Sequence, residues 1–267
     1  MSAPPTRRVN SGKGHRYVVD NVSYAGRGVT TLLALPKDAL VGWAARVTAE
    51  AAVHERDVWL PMVEAGRERA AVDYLKEARW QTTNEAAVRG TDVHELAEKL
   101  SAGQEVEVDE RTEGFVDAYL AFREAFRPTN EIAERMIVNR THVYAGSFDL
   151  VADLEALPHA TDDRPMRLLI DYKTGKGVYP EVSLQLAAYR NGETMLPFNG
   201  LEDEVPMVDV DGCAVLHLRG DGTFELRPVE AGDREFRTFL YAAQIHDFVK
   251  RDGWGETVIG RPLSPKA

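Results

Sequence analysis

The chain has 267 residues and a formal net charge of −11, because 43 acidic side chains outnumber 32 lysines and arginines. This acidic balance excludes a histone-like protein that binds nucleic acid over its whole surface, while an enzyme with a local basic track stays compatible with it. Cys213 is the only cysteine, which excludes an intrachain disulfide and a thiolate-held zinc or iron–sulfur site.

The amino-terminal half predicts an arm followed by helices. Residues 1–16 are rich in Pro, Gly and basic side chains and predict a flexible arm. They contain no apolar signal segment, and no apolar run is long enough to span a bilayer, so we expect a cytoplasmic protein. Residues 17–24 predict a short hairpin that ends the 1–28 segment. Residues 29–128 predict a helical lobe, whose helices cover residues 30–68, 84–100 and 111–126.

After residue 128 the apolar period changes from that of a helix to that of a strand. The predicted elements are strands over 132–138, 143–154 and 167–173, a helix from Pro180 to Tyr189, strands over 214–218 and 224–226, and a helix over 233–250. This order predicts an α/β (α+β) fold with a central mixed sheet flanked by helices. Residues 129–267 are its core, and we expect them to form one compact unit with the helical lobe.

Asp171, Tyr172 and Lys173 end the apolar run that precedes them. Side chains alternate along a strand, so Asp171 and Lys173 point to one face and Tyr172 to the other. A carboxylate beside a lysine at the end of a strand can hold a divalent ion and an activated water. The alternative is a strand end that carries a surface salt bridge.

Asp149 ends the strand segment Gly146-Ser147-Phe148-Asp149 and supplies a second acid. Phosphodiester hydrolysis needs a nucleophilic water, neutralised phosphate charge and a stabilised leaving oxygen, all of which hard divalent ions provide. Asp149 and Asp171 are candidate ligands, together with the backbone carbonyl of Tyr172. Lys173 is the candidate that orients or deprotonates the water, with a pKa lowered by partial burial and by the ions.

Three further polar side chains fit this chemistry, and each has a plainer alternative. His94 is a candidate ligand that would favour Mn²⁺ beside Mg²⁺, or else an ordinary packed or exposed histidine. Glu98 lies one helical turn after it and either orients His94 or is a surface acid. Gln185 and Tyr189 share one helix face, where they contact a phosphate or steady Lys173, or else form the polar edge of a buried helix.

These motifs resemble those of the RecB-like branch of the PD-(D/E)XK nuclease superfamily. The resembling segments are Gly90-Thr91-Asp92-Val93-His94, Gly146-Ser147-Phe148-Asp149, Asp171-Tyr172-Lys173-Thr174-Gly175 and Gln185-Leu186-Ala187-Ala188-Tyr189. They occur in the order seen in that branch and span about a third of the chain. Residues 29–45 also look similar to the amino-terminal region of phage-encoded exonucleases of this group.

The resemblance implies a restriction-endonuclease-like core and assigns roles within it. His94, Asp149 and Asp171 are implied metal ligands, with the Tyr172 carbonyl assisting, and Lys173 is implied to be catalytic. Gln185 and Tyr189 match the positions that hold substrate or lysine. Glu134 lies at a position where many relatives carry an acid, so the resemblance also implies it as a site residue, less strongly than the others.

The implied activity is a Mg²⁺- or Mn²⁺-dependent DNA exonuclease that acts at single-stranded or duplex ends in phage-type recombination, replication or DNA processing. A recombination or single-strand-annealing protein is an implied partner, and the host cytoplasm is the expected location for a phage protein. The CRISPR-associated relatives hold an iron–sulfur cluster on four cysteines, so this chain is expected to lack one. An endonuclease of the same superfamily and a non-catalytic DNA-binding subunit remain alternatives. Candidate DNA contacts are Arg7, Arg8, Arg123, Arg127, Arg135, Arg140, Lys176 and Arg190.

Overall fold

The computed structural model describes residues 6–11, 14–34, 38–157, 165–196 and 204–250. By its contacts the chain divides into two compact units, one formed by Met1–Leu35 with His94–Ala267 and the other by Pro36–Val93. The predicted bounds at residues 28 and 128 stay a prediction. Within the described residues, no helix has the length and apolar character needed to cross a membrane.

The elements before the large sheet are mostly helical. In chain order they are β1 (Arg7–Ser11), β2 (Gly14–Val19), β3 (Val22–Ser23), α1 (Val29–Leu32), α2 (Asp38–His54), α3 (Arg56–Glu64), α4 (Glu68–Ser101) and α5 (Glu113–Phe126). The segment 30–68, which is predicted to be helical, contains α1, α2 and α3. Helix α4 begins well before the predicted residue 84.

The elements after α5 form the sheet and the helices that cover it. They are β4 (Thr129–Asn139), β5 (Tyr144–Leu154), β6 (Met166–Lys173), α6 (Glu181–Arg190), β7 (Thr194–Leu196), β8 (Val205–Pro206), β9 (Gly212–Leu218), β10 (Phe224–Val229) and α7 (Asp233–Lys250). The sequence predicts all of these except β7 and β8, which are too short to show an apolar period.

The unit Pro36–Val93 is built from α2, α3 and the first part of α4. Among its described side chains, the buried apolar ones are Ala51, Ala71, Ala78 and Val93. Two side-chain hydrogen bonds support the packing: the Tyr74 hydroxyl donates to Glu55 at 2.7 Å, and the Trp59 indole donates to the Ala52 carbonyl at 3.1 Å. Small apolar residues let the backbones of neighbouring helices approach closely.

The seven-stranded sheet has the order β10-β9-β6-β5-β4-β7-β8. Strands β4, β5 and β6 form an antiparallel meander, whereas β9 pairs in parallel with β6 after a connection that includes α6. The predicted mixed sheet flanked by helices is confirmed. Strand β6 therefore lies inside the sheet, and its carboxyl end, Asp171–Lys173, pairs with β9, while its pairing with β5 ends at Ile170.

Helices cover both faces of the sheet at β6. Tyr172 contacts Tyr119 of α5, with ring centroids 5.8 Å apart, while the neighbouring Asp171 accepts a hydrogen bond from Gln185 of α6. Successive side chains of a strand point to opposite faces, so α5 and α6 lie on different sides. The core on the α6 side also takes in α1 and α7 and includes Leu186, Val215 and Phe239.

The amino-terminal segment forms a three-stranded sheet, β1-β2-β3, so the prediction of a flexible arm over residues 1–16 is wrong for β1 and the start of β2. The polar sequence Arg7-Arg8-Val9-Asn10-Ser11 shows no apolar alternation, which explains the error. This sheet packs on the large one through a cluster of buried side chains: Tyr17, Val19, Tyr24, Met136, Val138, Ala145 and Leu196.

Helix α5 approaches the turn between β9 and β10 closely enough to require glycine. A Cβ atom on Gly114 would lie 1.9 Å from the carbonyl oxygen of Gly220. Contact between Phe122 and Phe224, with centroids 6.0 Å apart, holds the same two elements together. Because the clashing atom belongs to the backbone, a side-chain rotation cannot relieve it.

We expect Gly114→Ala to destabilise the protein by more than about 1 kcal/mol, since overpacking forces backbone shifts. Denaturant unfolding measures the change. Gly177→Ala is the matched control, because a Cβ on Gly177 meets nothing within 4 Å and its backbone dihedral is not in the left-handed region. Equal stability of the two variants would show that α5 is not packed on the turn as described.

Candidate metal centre

Three acidic residues lie on three neighbouring strands of the sheet. Glu134 is on β4, Asp149 on β5 and Asp171 on β6. The pair Leu150–Ile170 comes directly before the position where Asp149 and Asp171 meet across β5 and β6. Glu134 lies across from Asp149, between the pairs formed by Ala133 and Arg135. The antiparallel register thus gathers acids that are far apart in sequence.

His94, Glu134 and Asp149 form a group that could hold a metal ion. Each offers a ligand atom, and these atoms all lie within 4.8 Å of one another. His94 comes from the last part of α4, while the two acids come from the sheet. The carboxylate side chains are only 12% exposed, and that of His94 is 30% exposed. An imidazole nitrogen and two carboxylates are suitable ligands for a divalent ion.

Asp149 is fixed by two contacts, one to each oxygen. The backbone N–H of Tyr172 donates to Oδ2 at 2.6 Å, and His94 Nδ1 lies 3.1 Å from Oδ1. Burial alone would raise the pKa of Asp149, but the charges of His94 and Lys173 and the hydrogen bonds from His94 and Tyr172 together outweigh it and lower that pKa. Burial likewise opposes the charge on His94, yet Asp149 raises the pKa of His94 to about 9.

Glu134 sits at a distorted point of β4. Its φ of 47° lies in the left-handed region, which is unusual for a residue other than glycine and carries a cost in conformational energy. Burial, together with the charge of Asp149, raises the pKa of Glu134 to about 8. A metal ion would relieve this repulsion and would take the place of the protons on Glu134 and His94.

Lys173 is held by a second set of contacts beside the three-residue group. Its Nζ lies 2.5 Å from Asp171 Oδ2 and donates to Gln185 Oε1 at 3.4 Å. The amide of Gln185 donates to Asp171 Oδ1 at 2.8 Å and to the Tyr189 hydroxyl at 3.0 Å. Gln185 therefore joins Asp171, Lys173 and Tyr189 into one network.

Opposing effects act on the charge of Lys173. Burial would lower the pKa of Lys173, but the adjacent carboxylates of Asp171 and Asp149 outweigh it and raise that pKa. The predicted lowering of this pKa includes the effect of bound ions and stays a prediction. Burial raises the pKa of Asp171 to about 6 although Lys173 opposes the shift. Asp171 is 4% exposed and lies outside the three-residue group.

Tyr172 contributes its ring to the site, in addition to the backbone carbonyl that the sequence analysis proposes as a ligand. Its ring meets His94 edge-on with centroids 5.6 Å apart, and it also contacts the ring of Tyr119. These contacts restrict the orientation of the imidazole that faces Asp149. The predicted ligand role of the Tyr172 carbonyl stays a prediction.

The close approach of Tyr189 explains why residue 146, in the Gly-Ser-Phe-Asp segment, is a glycine. A Cβ atom on Gly146 would lie 2.6 Å from Cε1 of Tyr189 and 3.0 Å from a methyl group of Val29. The ring of Tyr189 therefore occupies space that only a glycine leaves open. This places the phenol where the Gln185 amide reaches it.

Several of the basic side chains considered as DNA contacts are engaged in ion pairs. Arg123 makes two hydrogen bonds to Glu131, and Arg140 binds Glu204 and Asp20. Arg8 lies 3.7 Å from Glu134 at the candidate metal centre. The side chain of Arg7 lies outside the described part of the chain.

No family model and no curated protein matches the chain. The resemblance to RecB-like nucleases therefore rests on the four sequence motifs and stays a prediction.

We expect His94→Ala and Glu134→Gln to weaken Mn²⁺ binding at least about tenfold, since loss of even an outer partner of a ligand costs that much. Isothermal titration calorimetry on the purified variants measures the affinity. Glu98→Gln is the control, because Glu98 is exposed and its substitution removes the same charge near the site. Asp171→Asn tests the predicted fourth ligand. Affinity unchanged in Glu134→Gln would exclude Glu134 as a ligand.

Proposed function

We propose that this protein is a metal-dependent DNA nuclease that acts as an exonuclease on DNA ends. The observation that carries the proposal is the position of Lys173. Its ammonium lies 2.5 Å from Asp171, on the strand next to Asp149, whose carboxylate belongs to the three-residue metal group. A protonated lysine beside a cluster of hard ligands suits the hydrolysis of an anionic ester.

The donor set favours Mg²⁺ or Mn²⁺. Glu134 and Asp149 supply hard oxygen atoms, and the imidazole of His94 shifts the preference towards Mn²⁺. When bound, such an ion polarises a phosphoryl oxygen and makes a bound water acidic enough to act as the nucleophile. Asp171 extends the row of acids and stays a predicted ligand.

The chain's own residues would position the reacting groups. Tyr172 and His94 hold the two oxygens of Asp149, which fixes the carboxylate before substrate arrives. Lys173, kept protonated by Asp171 and Asp149, would donate a hydrogen bond to the phosphate or to the attacking water. Gln185 keeps the lysine in place from the side of α6.

An endonuclease of the same superfamily is the main alternative, because it would use the same residues. Predicted restriction to DNA ends depends on the helical segments before His94 covering the site, and this point stays a prediction. A non-catalytic DNA-binding subunit is the less favoured alternative, since the acids, the lysine and the glutamine are all present and in contact.

We expect Lys173→Ala and Asp149→Ala each to abolish cleavage of linear DNA in Mg²⁺ and in Mn²⁺, with a loss of at least about a hundredfold in rate. Gel assays with end-labelled single- and double-stranded substrates measure the rate. Lys173→Met retains the volume of the side chain and guards against a folding defect, which circular dichroism monitors. Cleavage at the wild-type rate by any of these variants would contradict the assigned site.

Linear and covalently closed circular DNA of the same sequence should behave differently if the protein needs an end. We expect degradation of the linear form, and of the circle only after a restriction enzyme has opened it. Lys173→Ala is the control for contaminating nuclease. Equal rates on the closed and the linear form would favour the endonuclease, and binding without cleavage of either form would favour the non-catalytic subunit.

A further inference from the structure

The amino-terminal hairpin brings a cation to the candidate metal centre. Arg8 of β1 pairs with Tyr17 of β2 across the hairpin. Arg8 Nη1 lies 3.7 Å from Oε2 of Glu134, and the Tyr17 hydroxyl lies 3.3 Å from the Ser147 hydroxyl, two residues before Asp149. Each member of the pair thus reaches one of the strands that supply a candidate ligand.

Packing fixes the position of this hairpin. Tyr17 and Val19 are buried against Met136, Val138 and Ala145 of β4 and β5. Tyr24 adds a backbone hydrogen bond, its N–H donating to the Tyr17 carbonyl at 2.8 Å. The apolar contacts hold β2 on the sheet, so Arg8 is presented at the site by an ordered element. Its side chain keeps 28% of its surface exposed.

We infer that Arg8 contacts the phosphate of a nucleic-acid strand bound at the metal centre. The inference rests on the proposed nuclease function and adds a substrate-binding residue to it. A guanidinium is well suited to phosphate oxygens, because its planar donors match their geometry and its charge is permanent. The guanidinium of Arg8 lies 3.7 Å from the carboxyl group of Glu134, which places it within reach of a phosphate held beside that candidate ligand.

The balance of charge supports this role. Glu134, Asp149 and Asp171 carry three negative charges when ionised, and a metal-bound histidine is neutral. One divalent ion together with Lys173 neutralises those three charges. Arg8 then adds one positive charge. A phosphodiester carries one negative charge, which matches it. The alternative is that Arg8 serves only as a counter-ion for Glu134 and never meets the substrate.

Single methylphosphonate substitutions distinguish these roles, because each removes the negative charge of one phosphate while leaving the protein unchanged. The probe is a set of single-stranded oligothymidylates that carry one such linkage at successive positions. Binding is measured by fluorescence anisotropy in Ca²⁺, which takes the same oxygen ligands, with gel analysis to verify that the strand stays intact. The proteins are the wild type, Arg8→Ala, Arg8→Lys and the control Arg16→Ala.

We expect Arg8→Ala to weaken binding of the unmodified strand at least about tenfold, the usual size of a lost charge-assisted hydrogen bond. One methylphosphonate position should weaken the wild type to a similar extent and have no further effect on Arg8→Ala. Arg16 lies on β2 with an exposed side chain, so Arg16→Ala should keep that positional sensitivity. Arg8→Lys should recover part of it, because the charge is restored without the planar donors.

If Arg8→Ala kept the wild type's sensitivity to the position of the methylphosphonate, the inference would be overturned. The proposed nuclease function would be unaffected by that result. A wild-type protein that neither binds nor cuts the unmodified strand, while still binding Mn²⁺, would overturn the proposed function and this inference with it.

Discussion

The arrangement of the site depends on the repulsion between carboxylates that the sheet forces together. Glu134, Asp149 and Asp171 come from adjacent strands, and the register leaves them no room to separate. Buried like charges at such distances are strongly unfavourable unless cations or protons compensate them. His94 from α4, Lys173 from β6 and Arg8 from β1 each approach one of these acids. His94 and Arg8, which come from outside the central meander, thus bring cationic groups to the acids that the meander holds.

A bound divalent ion would also compensate the repulsion between these carboxylates. The neighbouring carboxylates raise the pKa values of His94 and Lys173, while burial and the charge of Asp149 raise the pKa of Glu134, so the cations beside Glu134 compensate its environment incompletely. A divalent charge in this group would replace scattered monovalent partners with one central ion. Conformational cost at Glu134, with its left-handed backbone, is consistent with a residue held in place for binding rather than for packing.

The sequence predicts those parts of the fold whose signals are local. Strands β5 and β6 and helix α7 follow apolar periods that surrounding structure does not override, and their predicted bounds agree closely with those observed. The contacts of Lys173 with Asp171 and of Gln185 with Tyr189 follow from spacing along one strand and one helix. The predicted position of Asp149 at the end of a strand is wrong, because β5 continues to Leu154, and Asp149 comes close to Asp171 through the pairing of β5 with β6.

Other features depend on contacts between distant segments and leave no local trace. Glu134 received a low weight because its proximity to Asp149 is set by the register between β4 and β5. The strand β1 was missed because its polar sequence gains its partner only when β2 docks on the sheet. Strand alternation predicts that Tyr172 points away from Asp171 and Lys173, but it does not reveal that the ring of Tyr172 meets that of His94 edge-on. The residues that flank His94 predict a helix, but they do not reveal that this helix places His94 beside Asp149.

The absence of a side chain at Gly146 has a consequence for how this protein can change. Since the ring of Tyr189 fills the space where a Cβ would stand, the two positions are not independent in evolution. Any larger residue at 146 requires a smaller one at 189, and the phenol that Gln185 contacts is then lost. Sequences that keep both residues should therefore keep the network around Lys173, whereas joint replacement of the pair would mark descendants that have abandoned it.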